Sequence, residues 1–485
     1  MIETRTSWVT AAAMLLALPG RGSAAVHEYA VTVDYTLSRL FVEARFSAGV
    51  TSLSARSKNA GKYLLEARSC DDVHEIEASG RRMSLPAGGL ACLKYTVDLK
   101  GAGGEYRNSS SLDSGNTVAS PSLWLWRPEA DRAGGLNIRF HLPDTVRVST
   151  PWPALTLPAV GFYLGESPQS SHAPVAFGNF HYEEIAVPGA RLRVAMLNGE
   201  DPLDSAGIAR WLRAAATDIT LAYGRFPNPS PQVLVVPVGD SRSDSAVPFG
   251  RVVRDGGETV ELFVNQTMPL AAYLDDWTAT HEFSHLMLPY VGRKHRWISE
   301  GFAQYYQNVL LARAGSQSAL RSWQKLYEGF ERGRRARPDL SPNEVASARS
   351  ANGLMKLYWS GAALALLADV ELRERSAGKQ SLDQVLGRLQ SCCLPSERDW
   401  SGPELFAKLD ALSDTAVFMG LYRQHADTPG FPDVRETFDR LGLAVDGGEV
   451  SIRETAELAA LRLAITREHA ATAEWRRQLA TAPGL

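Results

Sequence analysis

With 485 residues, 45% hydrophobic and 22% charged, the sequence has an ordinary globular composition but is too long for one simple core, so two or three domains are expected. A net charge of −3 argues against nucleic acid or an anionic membrane surface as the main partner. The densest basic run, Arg332 to Arg337, is interrupted by Gly333 and closed by Pro338, which reads as a solvated helix end.

Residues 1–25 read as a signal peptide. Arg5 precedes an apolar run from Trp8 to Leu18, Pro19 and Gly20 break it, and Ser23-Ala24-Ala25 supplies the small residues of a cleavage site. The run is too short for a stable span, and no later stretch is long and apolar enough, so the expected product is an exported protein without a membrane anchor. Cys70 and Cys92 are placed to form a disulfide in an oxidising compartment, whereas the adjacent Cys392 and Cys393 read equally as free thiols or a strained pair.

Residues 26–197 carry short alternating runs, among them Tyr29 to Tyr35, Leu40 to Phe46, Leu93 to Leu99 and Arg191 to Met196, separated by Gly, Pro, Asn and Ser. This pattern predicts an N-terminal antiparallel β-sandwich domain. The character changes near Asn198. In 198–315 an amphipathic helix over Ser205 to Tyr223 precedes strands at Gln232 to Val238 and Thr259 to Val264 and then two helices, an α+β pattern. Residues 316–446 read as a helical domain, with a long helix from Leu354 to Ser376 and a capping box at Ser381 to Gln384. The tail, 447–485, holds a short β-like piece and one helix from Glu454 toward Ala480.

The chemistry concentrates between Leu274 and Gly315. Leu274, Trp277, His281, His285 and Leu288 recur at helical spacing before Pro289, with Asp275 and Asp276 where a helix N-terminus favours acids. One turn apart on one face, His281 and His285 can bind one zinc ion at about 2.0–2.1 Å each. Glu282 then lies beside the metal, placed to take a proton from the water it holds. A chance His-Glu-x-x-His is expected on the order of once per hundred such chains, so a pair of ordinary core histidines is the weaker reading.

The continuation that would supply a third histidine is absent, because Leu288 and Val291 occupy the required glycine and histidine positions. His295 lies in a charged loop and is expected to be exposed. Glu300, in Trp297-Ile298-Ser299-Glu300-Gly301-Phe302-Ala303, stands at the start of a second helix that Ser299 could cap and Gly315 closes. A loop returning the chain antiparallel brings Glu300 to the metal as a carboxylate ligand and leaves a fourth position for water.

His281 to His285 followed by Ser299 to Ala303 resembles the Glu-zincin metallopeptidases with a thermolysin-like catalytic domain, a fold related to the leucine and alanyl aminopeptidase clan. Ile298 to Gly315, Tyr358 to Leu364, Asp369 to Arg373 and Gly378 to Leu386 are most similar to the glycyl aminopeptidase family, so the likeness covers roughly Leu274 to Leu386. It implies one Zn²⁺ ion, a peptide or protein substrate, and Tyr358, three residues before Gly361, as hydrogen-bond donor to the oxyanion.

Two features depart from the family. Only fourteen residues, Leu286 to Ser299, separate His285 from Glu300. The clan's Gly-x-Met-Glu-Asn strand, which holds a substrate amine, corresponds at best to Asp255-Gly256-Gly257-Glu258-Thr259. There Glu258 is a candidate substrate-binding residue, but Gly-Gly before a strand is also an ordinary hairpin turn. The expectation is a zinc metallopeptidase, an aminopeptidase for small N-terminal residues; a zinc endopeptidase and a weakly catalytic scaffold with the same site are the alternatives. Oligomeric state is not legible.

Overall fold

The computed structural model describes residues 26–106, 115–129, 135–155, 160–165, 172–239, 244–254, 256–348, 351–396 and 398–481. The expected signal peptide, and Asp255 of the candidate amine-binding stretch, lie outside the described residues. Three regions follow in chain order: a β-rich N-terminal domain, a mixed α/β middle and a helical C-terminal region.

The N-terminal domain alternates buried and exposed side chains along its strands, as in Val26–Val33 and Arg39–Val50, so each strand has one face for a core. Its largest sheet has the order Gly161–Leu164, Gly135–His141, Val26–Val33, Arg39–Val50, Leu90–Asp98, Leu64–Ser69. Two smaller sheets, of four and three strands, complete the domain around a core that includes Trp124, Trp126 and Trp152. One pairing departs from the antiparallel expectation: Val26–Val33 runs parallel to Gly135–His141. Alternation marks a strand but carries no information about the direction of its partner. A disulfide joins Cys70 to Cys92, and another joins Cys392 to Cys393.

The second sheet has the order His181–Val187, Ala190–Met196, Gln232–Pro237, Thr259–Val264, Phe249–Val253. It corrects the expected boundary at 197, because Arg191 to Met196 pairs with Gln232–Pro237 rather than with the N-terminal domain. Its central strands, Gln232–Pro237 and Thr259–Val264, are buried on both faces, which suits their largely apolar sequence; the exception, Glu261, is buried and paired with Arg251. One face packs on the helices through Val233, Val235, Val260, Leu262 and Val264. The other meets the N-terminal domain through Leu234, Val236 and Phe263, packed with Val118 and Ala176. Phe249–Val253 forms one edge of this sheet.

The long helix Leu354–Arg375 and the capping box at Ser381 form as expected. The tail differs: a hairpin pairs Leu443–Asp446 with Glu449–Ile452, and two helices, Ala459–Thr466 and Ala470–Thr481, replace the single one. The second packs back on the middle region. Arg476 forks onto both oxygens of the fully buried Asp218, at 3.0 and 2.9 Å, and also donates to the Leu274 carbonyl.

Burial drives the Asp218 carboxyl up to about 7 although Arg476 pulls the other way. The folded chain therefore holds this proton where the unfolded chain has lost it, and the contribution to stability falls as pH rises from the ordinary carboxylate range to about 7. Arg476→Ala, which strands a buried charge, is expected to cost about 3–5 kcal/mol at pH 8. The cost should be clearly smaller at pH 5, where Asp218 is protonated. Urea unfolding at the two pH values measures both, and equal penalties would refute the assignment.

Candidate metal centre and active site

The His-Glu-x-x-His segment occupies a short helix, Thr278–His285. The longer helix expected from Leu274 is broken: Leu270–Asp275 is a separate helix, and Asp276 is extended. The Asp276 carboxylate accepts a hydrogen bond from the Thr278 backbone N–H at 2.7 Å, so the acid placed at the helix start caps the second piece. After His285 the chain turns through Leu286–Leu288 and the 3₁₀ turn Arg293–His295 into the helix Arg296–Arg313, which carries Glu300.

This return brings Glu300 against both histidines. Glu300 Oε2 lies 3.5 Å from His281 Nε2 and 3.4 Å from His285 Nε2. Atoms bound tetrahedrally to zinc at 2.0–2.1 Å sit about 3.3–3.4 Å apart, so the separations suit a common ion. Both Nδ1 atoms are engaged elsewhere. His281 Nδ1 is 3.2 Å from Gln307 Oε1, and His285 Nδ1 is 3.0 Å from Ser299 Oγ. A carboxamide oxygen can only accept, so His281 Nδ1 carries a proton, and Nε2 is the ring atom directed at Glu300. Glu282 also belongs to the cluster, with one carboxylate oxygen within 4.8 Å of a nitrogen of each histidine.

The electrostatics match this convergence. In the metal-free chain, burial works to raise the Glu300 carboxyl, but the two imidazoles hold it well below the usual range. Burial opposes protonation of His281, yet Glu300 and Glu282 outweigh it and raise its pKa. Burial raises Glu282 against the pull of both histidines. The Tyr358 ring stands 6.2 Å from that of His281, and burial followed by Glu300 and Glu282 drives its pKa upward. Its hydroxyl thus stays protonated as a donor.

Two glycines set this geometry. A Cβ on Gly301 would lie 2.2 Å from backbone atoms of Gly361, and one on Gly361 would lie 2.1 Å from the Trp297 carbonyl oxygen. The helix of Glu300 and the helix of Tyr358 therefore touch backbone to backbone beside these two residues. Further along, Tyr305 donates to Asp369 at 2.9 Å, and Arg313 and Arg373 share Asp383. On the other side of the cluster, a Cβ on Gly250 of the edge strand would meet the Glu282 side chain at 2.6 Å. From sequence, Gly250, Gly301 and Gln307 are given no role and Gly361 serves only to mark Tyr358, although Glu300, Gln304 and Gln307 share one helical face.

Three expectations change. Ser299 does not cap the second helix, which begins earlier, at Arg296; its hydroxyl is held by His285 instead. His295 is half-buried rather than exposed, packs toward Tyr422, and is not among the converging groups. Glu258 does not face the metal cluster as an open carboxylate. One oxygen is 3.0 Å from Arg254 Nε and the other accepts from Asn228 Nδ2 at 2.6 Å. Gly256 and Gly257 adopt positive φ between the paired strands Phe249–Val253 and Thr259–Val264, so this stretch is the hairpin turn.

No family model and no curated protein sequence matches the chain. Among solved structures it is similar to an aminopeptidase N family protein from Idiomarina loihiensis, with TM-score 0.66 and 15% identity over 87% of this chain and 79% of that one. It is also similar to an M1 zinc metallopeptidase from Deinococcus radiodurans, solved as a glutamate-to-alanine variant bound to a Tyr-Ser-Ala substrate. That match has TM-score 0.50 and 14% identity over 84% of this chain and 94% of that one. At these identities the likeness establishes the fold: this chain has the multidomain architecture of M1 zinc aminopeptidases.

Gly361→Ala must force two backbones apart and is expected to cost about 1–3 kcal/mol in urea unfolding. Gly420→Ala, at an exposed helix position with nothing within 4 Å of the new Cβ, should instead stabilise by about 0.4–1 kcal/mol. Similar changes for the two variants would refute the helix contact as the constraint.

Proposed function

We propose that this chain is a zinc-dependent peptidase that hydrolyses peptide bonds. His281, His285 and Glu300 hold one zinc ion, Glu282 is the general base, and Tyr358 stabilises the oxyanion. The observation that carries this reading is the approach of Glu300 Oε2 to two imidazole Nε2 atoms at 3.4–3.5 Å, with both Nδ1 atoms engaged. A bound zinc ion supplies a Lewis acid that lowers the pKa of water toward roughly 7 and polarises a carbonyl.

The remaining work falls to the protein. Gln307 and Ser299 fix the orientation of the imidazoles. Glu282, buried and beside both histidines, accepts the proton of the attacking water and passes it to the leaving amine. Tyr358 donates its hydroxyl proton in a hydrogen bond to the carbonyl oxygen as negative charge develops there. A binding protein that kept only a structural metal would have no use for Glu282 in this position. We also propose that the protein is exported, supported by the apolar N-terminal run and by two disulfides.

Glu282→Gln is expected to retain one equivalent of zinc while losing about 10²–10⁴ in kcat on a peptide substrate. Metal analysis with steady-state kinetics checks this, and full activity would sink the mechanism. Glu300→Ala should release most of the zinc on dialysis; stoichiometry remaining at one would point to another third ligand. Tyr358→Phe should lower kcat by about 10²–10³ with little change in KM.

A further inference from the structure

The edge strand Phe249–Val253 passes Glu282 at Gly250 and runs on into a cavity of about 560 Å³ between the N-terminal domain, the 254–258 hairpin and the segment after Cys393. Trp152, Tyr163, Val252, Val253 and Tyr290 line it, and Tyr163 and Tyr290 keep 37% and 42% of their surface exposed, so apolar surface faces its space. The cavity adjoins the C-terminal end of the helix that carries the two histidines, since Arg254 on its wall donates to the His285 and Leu288 carbonyls at 2.6 and 3.0 Å.

The charges in this wall are already committed. Glu258 is held by Arg254 and Asn228, and Arg398 pairs with Glu404. Arg193, buried, donates to the carbonyls of Trp152 and Ser230. An ammonium entering the cavity would meet the Arg193 cation in a low-dielectric setting, with Asp399 as the one lining carboxylate not tied to a cation among the described residues. An uncharged apolar segment meets no such penalty and buries the aromatic wall.

The open side of the edge strand can pair with an extended chain, and antiparallel pairing is the commoner arrangement. A chain lying antiparallel to Gly250→Val253 has its residues upstream of the scissile bond at Val252, Val253 and the cavity. We propose that this cavity is a subsite for apolar residues on the N-terminal side of the cleaved bond, so that the enzyme cuts within chains rather than next to a free amino terminus. This inference rests on the peptidase reading above.

The test uses the zinc-loaded full chain and three quenched peptides sharing one scissile bond. The first has a free amine on the residue before that bond, the second adds three apolar residues and an acetyl cap upstream, and the third is extended downstream instead. Upstream extension should raise kcat/KM by about tenfold or more, the effect of one well-filled apolar pocket. That ratio should fall toward one in Val253→Arg and, independently, in Tyr290→Ser, a substitution of an exposed side chain outside the core.

Preference for the free-amine peptide, a gain that follows downstream extension, or a ratio unchanged in both variants would overturn the subsite while leaving the peptidase reading intact. So would a free-amine preference abolished by Asp399→Asn, which would make the cavity an amine site. Failure to cleave any of the three would overturn both.

Discussion

Backbone contact between two helices is the constraint on which the site depends. Glycine at both 301 and 361 allows the helix of Glu300 and the helix of Tyr358 to approach until only hydrogens separate them. Glu300 immediately precedes one contact residue, and Tyr358 lies one turn before the other. Their placement relative to each other is therefore fixed by main chain rather than by flexible side chains. The ion pairs and hydrogen bonds through Asp369 and Asp383 hold the same helices further along, so the crossing is clamped on one side and closely packed on the other.

A carboxylate drawn largely out of water is stable only if positive charge or donors surround it. Here the two imidazoles meet that need for Glu300, and their reciprocal effect raises His281. The same arrangement disposes the cluster toward a cation, because a divalent ion at the meeting point replaces the imidazolium charge while the Nδ1 partners remain as they are. Ser299 and Gln307 thus serve both conditions: they satisfy buried polar atoms without a metal and set the Nε2 lone pairs for one.

What could be read in the sequence follows the range of the interaction. His281, Glu282 and His285 lie within one helical turn, so covalent geometry alone places them on one face. Glu300 required a loop reversal, and Tyr358 required a resemblance, since nothing in local periodicity separates an active-site tyrosine from a packed one. The reasons for Gly250, Gly301 and Gly361 lie across space, in the neighbour each one admits, and no local pattern reveals them. Arg191–Met196 was legible as a strand but not as a member of the second sheet, because alternation is silent about partners. Ser299 had the composition of a helix cap, yet His285 competes for its hydroxyl and the helix starts a turn earlier.

The stretch around Gly256 and Gly257 takes the second of its two expected forms, a hairpin turn. Its glycines make the turn, and the turn places Arg254 where it can reach both Glu258 and the carbonyl end of the metal helix. A cation there adds a donor to carbonyls at a helix C-terminus and interacts favourably with the helix dipole. Glu258 in turn neutralises that cation within a buried setting. The carboxylate that could have held a substrate amine is consumed in joining the edge strand to the helix of His281 and His285. The same link that steadies the metal site removes a charged anchor from the cavity beside it, so the mechanical and recognition properties of this wall are set by a single ion pair.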